Sequence, residues 1–120
     1  MSEIIKVLVI DDDPIIRELV STNLKFMDYE PFTASNGKAA FEIFQRELPK
    51  LIFVDKILQG LSGDSIAEQL RKLNPNVYIV TMSGQNLPVK GSRGMLTKPF
   101  TIEQLIEVLE DASNYIFSNS

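Results

Sequence analysis

The chain has 120 residues, of which 44% are hydrophobic and 23% are charged, and it carries a net charge of −4 with no cysteine and no histidine. This composition indicates one globular domain and excludes a disordered tail, a collagen-like fibre and a coiled coil. The missing residue types exclude a disulfide framework, thiolate metal sites and histidine-based catalysis, and the acidic balance argues against a nucleic-acid partner.

We expect no targeting signal at the amino terminus. Met1-Ser2-Glu3 places an acid where a signal peptide carries basic residues. The apolar run that follows is far shorter than the roughly 20 residues of a membrane span. We therefore expect a cytoplasmic protein without a membrane segment.

Five short apolar runs predict β-strands. They are Ile4–Ile10, Pro31–Ala34, Leu51–Val54, Val77–Met82 and Gly94–Thr97. Most of them lack the alternation of a half-exposed strand, and continuous runs rich in Val and Ile are typical of strands buried on both faces of a parallel sheet.

Helical patterns lie between these strands. Their predicted starts are Asp13-Pro14, Asn36-Gly37, Ser62-Gly63-Asp64 and, as a capping box, Thr101–Gln104. The third helix is expected to end at Asn74-Pro75. Alternating strands and helices predict a doubly wound α/β fold with five parallel strands, about five helices and a doubtful fourth helix. The ligand site of such a sheet lies at the carboxyl edge of its strands.

Polar residues follow four of the predicted strands and should meet at that edge. They are Asp11, Asp12 and Asp13 after the first strand, Asp55 after the third, Ser83 after the fourth and Lys98 after the fifth. Crowded carboxylates repel one another, and a hard cation such as Mg²⁺ relieves this repulsion through oxygen ligands. A carboxylate is also a nucleophile that can form an acyl phosphate, whose charge an ammonium group stabilises.

These segments resemble the receiver domain of bacterial two-component response regulators. The resemblance covers about residues 4–116 and rests on four ordered motifs: Val7–Pro14, Asp55, Met82-Ser83-Gly84 and Leu96–Phe100. It implies the flavodoxin-like strand order 2-1-3-4-5 and a single receiver domain, 1–120, without an output domain. It also implies a protein that takes a phosphoryl group from a histidine kinase or a histidine phosphotransfer protein and then switches the binding of a partner protein. We expect a monomer, because this chain departs from the family at Met95 and in residues 84–93, on the face through which many members dimerise. Such a protein is not an enzyme beyond its own phosphotransfer and autodephosphorylation.

The resemblance also implies a role for individual residues. Asp55 matches the phosphoacceptor, Asp12 the direct Mg²⁺ ligand, Asp11 a ligand through water, Ile57 the backbone carbonyl ligand, Ser83 the switch hydroxyl and Lys98 the phosphoryl contact. The peptide bond Lys98-Pro99 matches one that is usually cis.

The chain departs from the family pattern in three places. Gln59 stands where proline is usual, and Met95 stands where the family has its switch aromatic. The ten residues 84–93 are too few for a typical helix and its connections, which predicts a short or degenerate fourth helix. Lys56, beside Asp55, is expected to be only an exposed charge.

Three other functions remain open from the residues alone. The first is a receiver fold that binds partners without phosphorylation. The second is a haloacid-dehalogenase-like phosphatase, which needs a second Asp two residues after its nucleophile; Ile57 stands there after Asp55, whereas Asp11 and Asp13 have that spacing. The third is a carrier of flavin mononucleotide, which would need a Ser/Thr/Gly-rich phosphate loop where this chain has three acids.

Overall fold

The computed structural model describes residues 3–119 and forms an α/β fold with a parallel sheet. The strands are β1 (Lys6–Ile10), β2 (Glu30–Ala34), β3 (Leu51–Asp55), β4 (Tyr78–Ser83) and β5 (Gly94–Thr97). The helices are α1 (Pro14–Phe26), α2 (Gly37–Glu47), α3 (Gly63–Leu73) and α4 (Ile102–Ser118).

The five strands pair in the order β2-β1-β3-β4-β5, which confirms the expected fold class. The chain moves outward from β1 to β2 and then crosses back to β3 on the other side of β1. This reversal leaves a crevice beyond the carboxyl ends of β1 and β3. The strands are aligned so that Ile10, the last residue of β1, lies opposite Val54.

Two apolar layers cover the sheet, which explains the continuous apolar strands. One layer packs α1 and α4 against one face, with Val9, Phe53 and Leu105 fully buried in it. The other packs α2 and α3 against the opposite face and buries Ile10 and Ile66. Residues that alternate along each central strand therefore enter different layers.

The predicted helix starts are confirmed by side-chain caps. The side chains of Asp13, Asn36, Ser62 and Thr101 accept backbone N–H bonds at the starts of α1, α2, α3 and α4. Thr101 forms the expected capping box with Gln104. These caps satisfy donors that a helix leaves free in its first turn.

Several boundaries differ from the expectation. β1 begins at Lys6, two residues later than predicted, and β4 lies one residue later than predicted. The larger difference is the number of helices: residues 84–93, all of them described, form an irregular segment with one turn at Lys90-Gly91 and no helix. The expected degeneration of the fourth helix is thus complete. Across residues 3–119, no helix is long and apolar enough to cross a membrane.

Candidate functional site

Three carboxylates meet at the carboxyl edge of the sheet. Asp11 directly follows β1 and Asp55 ends β3, so the pairing of these strands brings them side by side. Oxygen atoms of Asp11, Asp12 and Asp55 all lie within 4.8 Å of one another. The sequence predicted this set, and its donors are oxygen atoms alone, as a hard divalent cation requires.

Lys98 joins two of these carboxylates. It follows β5, and its backbone N–H donates to the Ser83 carbonyl at 2.8 Å. Its Nζ donates to Asp11 Oδ2 at 2.7 Å and to Asp55 Oδ2 at 3.0 Å. The bond between Lys98 and Pro99 is cis, as the resemblance implies. The ammonium therefore lies between residues from β1 and β3 that are distant in sequence.

The environment perturbs both partners of this bridge. Burial raises the pKa of the fully buried Asp11 carboxyl above its ordinary value, and this outweighs the opposing hydrogen bonds from Lys98 and the Asp13 backbone. Burial alone would lower the pKa of Lys98, but its hydrogen bonds and charge interactions with Asp11 and Asp55 raise it. Lys98 therefore stays charged. Keeping Asp11 ionised in this buried position costs free energy, and a bound cation would offset that cost.

Backbone contacts hold the turn that carries the first two acids. Asp11 Oδ1 accepts the Asp13 N–H at 2.9 Å, and the Asp11 N–H donates to the Ala34 carbonyl at 3.1 Å. Arg17 Nη1 donates to the Asp11 carbonyl at 2.6 Å. Sequence reasoning missed Arg17, because a single arginine on a helix gives no sign that it reaches the end of a neighbouring strand.

The turn after Asp55 is held in a similar way. The Ile57 N–H donates to Asp55 Oδ1 at 3.1 Å, while the Ile57 side chain is 60% exposed. Gly63, the first residue of α3, packs so closely that a Cβ atom there would collide with the Asp55 carbonyl oxygen. Sequence reasoning treated Gly63 only as part of a helix start. Its need for glycine comes from this close approach of two backbones.

Ser83 lies at the same edge, at the end of β4. It is buried, and its Oγ accepts the Gln85 N–H at 3.1 Å. Of the departures from the family pattern, Gln59 is exposed in the loop after Asp55 and Met95 is half-buried on β5.

The structure corrects the expectation that Lys56 is only an exposed charge. Its side chain is 25% exposed, and its Nζ donates to Asp64 Oδ2 at 2.9 Å and to the Pro88 carbonyl at 3.2 Å. No pattern in the sequence links these residues, because the contacts depend on how residues 84–93 fold in place of a helix.

Comparisons with known proteins point to one family. The family model described as response regulator receiver domain matches residues 7–110. A probable transcriptional regulatory protein of Mycobacterium tuberculosis, TcrX, is 28% identical over 109 residues, which are 85% of this chain and 47% of that protein. The chain thus spans about half the length of the first curated relatives that it matches.

Two shorter proteins match over most of their own length. Sporulation initiation phosphotransferase F of Bacillus subtilis is 29% identical over 88% of this chain and 90% of that protein. A crystal structure of the response regulator TrrA of Thermotoga maritima, in complex with Mg²⁺ and BeF, is 28% identical over 91% of this chain and 99% of that one, with a TM-score of 0.81. The structural match agrees with the fold described above.

Proposed function

This chain belongs to the family of response regulator receiver domains, and we propose on that premise that Asp55 is its phosphoacceptor. The observation that carries the proposal is the position of the Lys98 ammonium, which bonds Asp55 and Asp11 within a cluster of three carboxylates. A nucleophilic carboxylate, a cation for the phosphoryl charge and an oxygen-lined metal site are the parts that phosphoryl transfer to an aspartate requires.

Mg²⁺ is the cofactor that this donor set fits. Asp11, Asp12 and Asp55 would hold it, with the backbone carbonyl of Ile57 as a further ligand and water completing the shell. The ion supplies positive charge that neutralises the acids and the incoming phosphoryl oxygens. The Mg²⁺–BeF complex of the relative TrrA supports this choice.

Asp55, Lys98 and Ser83 each have a separate role in the proposed phosphoryl transfer. A carboxylate oxygen of Asp55 attacks phosphorus and forms a P–O bond, while the P–N bond to a histidine of the donor breaks and its imidazole nitrogen keeps the electron pair. Lys98 moves its ammonium contacts toward the phosphoryl oxygens. Ser83 donates its hydroxyl hydrogen to the same group. Water later hydrolyses the acyl phosphate and restores Asp55.

The proposed partners are proteins on both sides of this step. The donor is a histidine kinase or a histidine phosphotransfer protein in the cytoplasm, and the phosphorylated domain alters the binding of a downstream protein. The similarity to sporulation initiation phosphotransferase F over 90% of its length supports a role in phosphoryl relay. The chain then acts as a carrier of the phosphoryl group and performs only its own phosphotransfer and autodephosphorylation.

The dehalogenase-like alternative would make Asp11 the nucleophile and Asp13 the acid. Asp13 Oδ1 instead accepts the Ile15 N–H at 2.9 Å as the cap of α1. The Asp11 side chain is fully buried, whereas the Asp55 side chain is 13% exposed. The cap at Asp13 and the burial of Asp11 favour Asp55 as the reacting group.

Intact-mass measurement tests the proposal. After incubation with acetyl phosphate and Mg²⁺, the wild-type chain should gain one phosphoryl group, and chelation of Mg²⁺ should prevent this. The variant Asp55→Asn should gain none. A wild-type chain that stays unmodified at saturating donor would contradict the proposal and would favour a module that binds partners without phosphorylation.

A further inference from the structure

A short segment takes the place of the missing helix between β4 and β5. We name residues 88–91 the strap. The Val89 side chain is buried beneath it, and the Val89 N–H donates to the buried Thr81 Oγ1 at 2.8 Å. The Lys90 N–H donates to Asp64 Oδ1 at 2.7 Å. Side chains of β4 and α3 thus hold two successive amides of the strap.

Two cations hold the carbonyl groups of the strap. Lys56 Nζ donates to the Pro88 carbonyl at 3.2 Å, and Arg71 Nη1 donates to the Lys90 carbonyl at 2.5 Å. Gly91 has a positive φ of 81°, and a Cβ atom there would collide with the Arg71 guanidinium. The strap is therefore fitted closely against α3 and against the residue that follows the phosphoacceptor.

Lys56 connects the strap with the acid site. Its backbone N–H donates to the Met82 carbonyl at 3.1 Å, and its carbonyl accepts the Gly63 N–H at 3.1 Å. It stands in the chain between Asp55 and Ile57, which are both proposed Mg²⁺ ligands. Asp64 joins the two sides, since one of its oxygens binds Lys56 Nζ and the other binds the strap.

We propose that Lys56 and Asp64 are positioning residues that clamp the turn after Asp55 to the strap, so that occupancy of the acid site and closure of the strap stabilise each other. The proposal rests on the function proposed above for Asp55. Lys56 lies between two proposed metal ligands and bonds both Asp64 and the Pro88 carbonyl, so a ligand that fixes the turn after Asp55 favours the closed strap. Coupling of this kind is reciprocal, so a change that loosens the strap lowers the affinity for the ligand by the same factor.

Two variants that break the clamp have opposite effects on charge. Lys56→Met removes a positive charge and keeps the apolar stem, whereas Asp64→Asn removes a negative charge and keeps the shape. Long-range electrostatics alone would tighten Mg²⁺ binding in the first and weaken it in the second. The clamp predicts weaker binding in both, by about fivefold, which is the low end of usual coupling between sites. Glu68→Gln is the matched control, because Glu68 pairs with Lys72 on the same helix and takes no part in the strap contacts given above.

The experiment combines calorimetric titration with hydrogen exchange. Titration of each chain with Mg²⁺, alone and with beryllofluoride, gives the affinities, and exchange of the Val89 and Lys90 amides reports the strap. We expect ligand to slow this exchange in the wild type and in Glu68→Gln by a similar factor, and to slow it much less in the two clamp variants. Mg²⁺ affinities that shift in opposite directions in the two clamp variants would overturn the clamp while leaving the role of Asp55 intact. Hydrogen exchange in the wild-type strap that does not change when ligand binds would do the same. A wild-type chain that binds neither Mg²⁺ nor beryllofluoride would overturn both.

Discussion

Replacement of Asp12 by asparagine is expected to stabilise the metal-free protein. The Asp12 side chain is exposed, yet an oxygen of it lies within 4.8 Å of oxygens of both Asp11 and Asp55. The ammonium of Lys98 already bonds those two carboxylates, so three negative charges meet one positive charge. Asp12 thus experiences two repulsions and one attraction, which leave about one uncompensated repulsion.

The size of this repulsion follows from the distance. Two unit charges 4.8 Å apart interact by about 0.9 kcal/mol in water and by about 3.5 kcal/mol at an effective dielectric constant near 20. Because Asp12 is exposed, the lower value applies, and we expect a gain of about 1 kcal/mol in the free energy of unfolding. For a domain of this size, that corresponds to a rise of about 3–5 °C in Tm.

Thermal unfolding followed by circular dichroism measures this gain. In EDTA, Asp12→Asn should melt above the wild type, and saturating Mg²⁺ should stabilise the wild type more than the variant because the variant has lost a ligand. Glu42→Gln is the control, since it removes one negative charge from the exposed side of α2. An Asp12→Asn chain that melts at or below the wild-type temperature in EDTA would refute the argument from crowded carboxylates.

Three further predictions follow from the same contacts. Lys98→Met should lower the metal-free stability by about 1–3 kcal/mol in urea unfolding, because two carboxylates lose their shared hydrogen-bond donor, and should tighten Mg²⁺ binding; looser binding would contradict this. The pKa of Asp64 lies below its ordinary value of 3.8, chiefly through its hydrogen bond with Lys56, so its stabilising effect is present above that value and is lost as the pH falls through the lowered pKa. The stability difference between the wild type and Asp64→Asn should therefore shrink below pH 3.8, and a difference that grows there would be inconsistent with this sign. Light scattering should show a monomer with and without Mg²⁺ and beryllofluoride, because Met95 and the strap replace the usual switch elements; a ligand-dependent dimer abolished by Glu107→Lys would show this wrong.

The parts of the fold that the sequence predicted are those fixed by local patterns. Buried strands appear as apolar runs, and caps such as Asp13 and Ser62 mark helix starts because their side chains bond amides two or three residues away. The site was predictable because parallel strands carry their carboxyl ends to one edge. Asp11 and Lys98 each directly follow a strand and Asp55 ends one, and the paired strands hold them in place.

The parts that escaped prediction depend on contacts across the fold. Arg17 reaches a carbonyl at the end of β1, and Gly63 is required by the backbone of Asp55. Lys56 is held by a loop whose path depends on the packing of Val89 and on hydrogen bonds with Thr81, Asp64 and Arg71. None of these contacts has a fixed spacing in sequence, so no local pattern reports them.

Reductive trapping of the phosphorylated residue tests the central claim most directly. Borohydride converts an aspartyl phosphate to homoserine, and peptide mass spectrometry then locates the modified position. After treatment with acetyl phosphate and Mg²⁺, we predict homoserine at Asp55 and unmodified aspartate at Asp11, Asp12 and Asp13. Homoserine at Asp11 with Asp55 intact would contradict the account and would support the dehalogenase-like alternative.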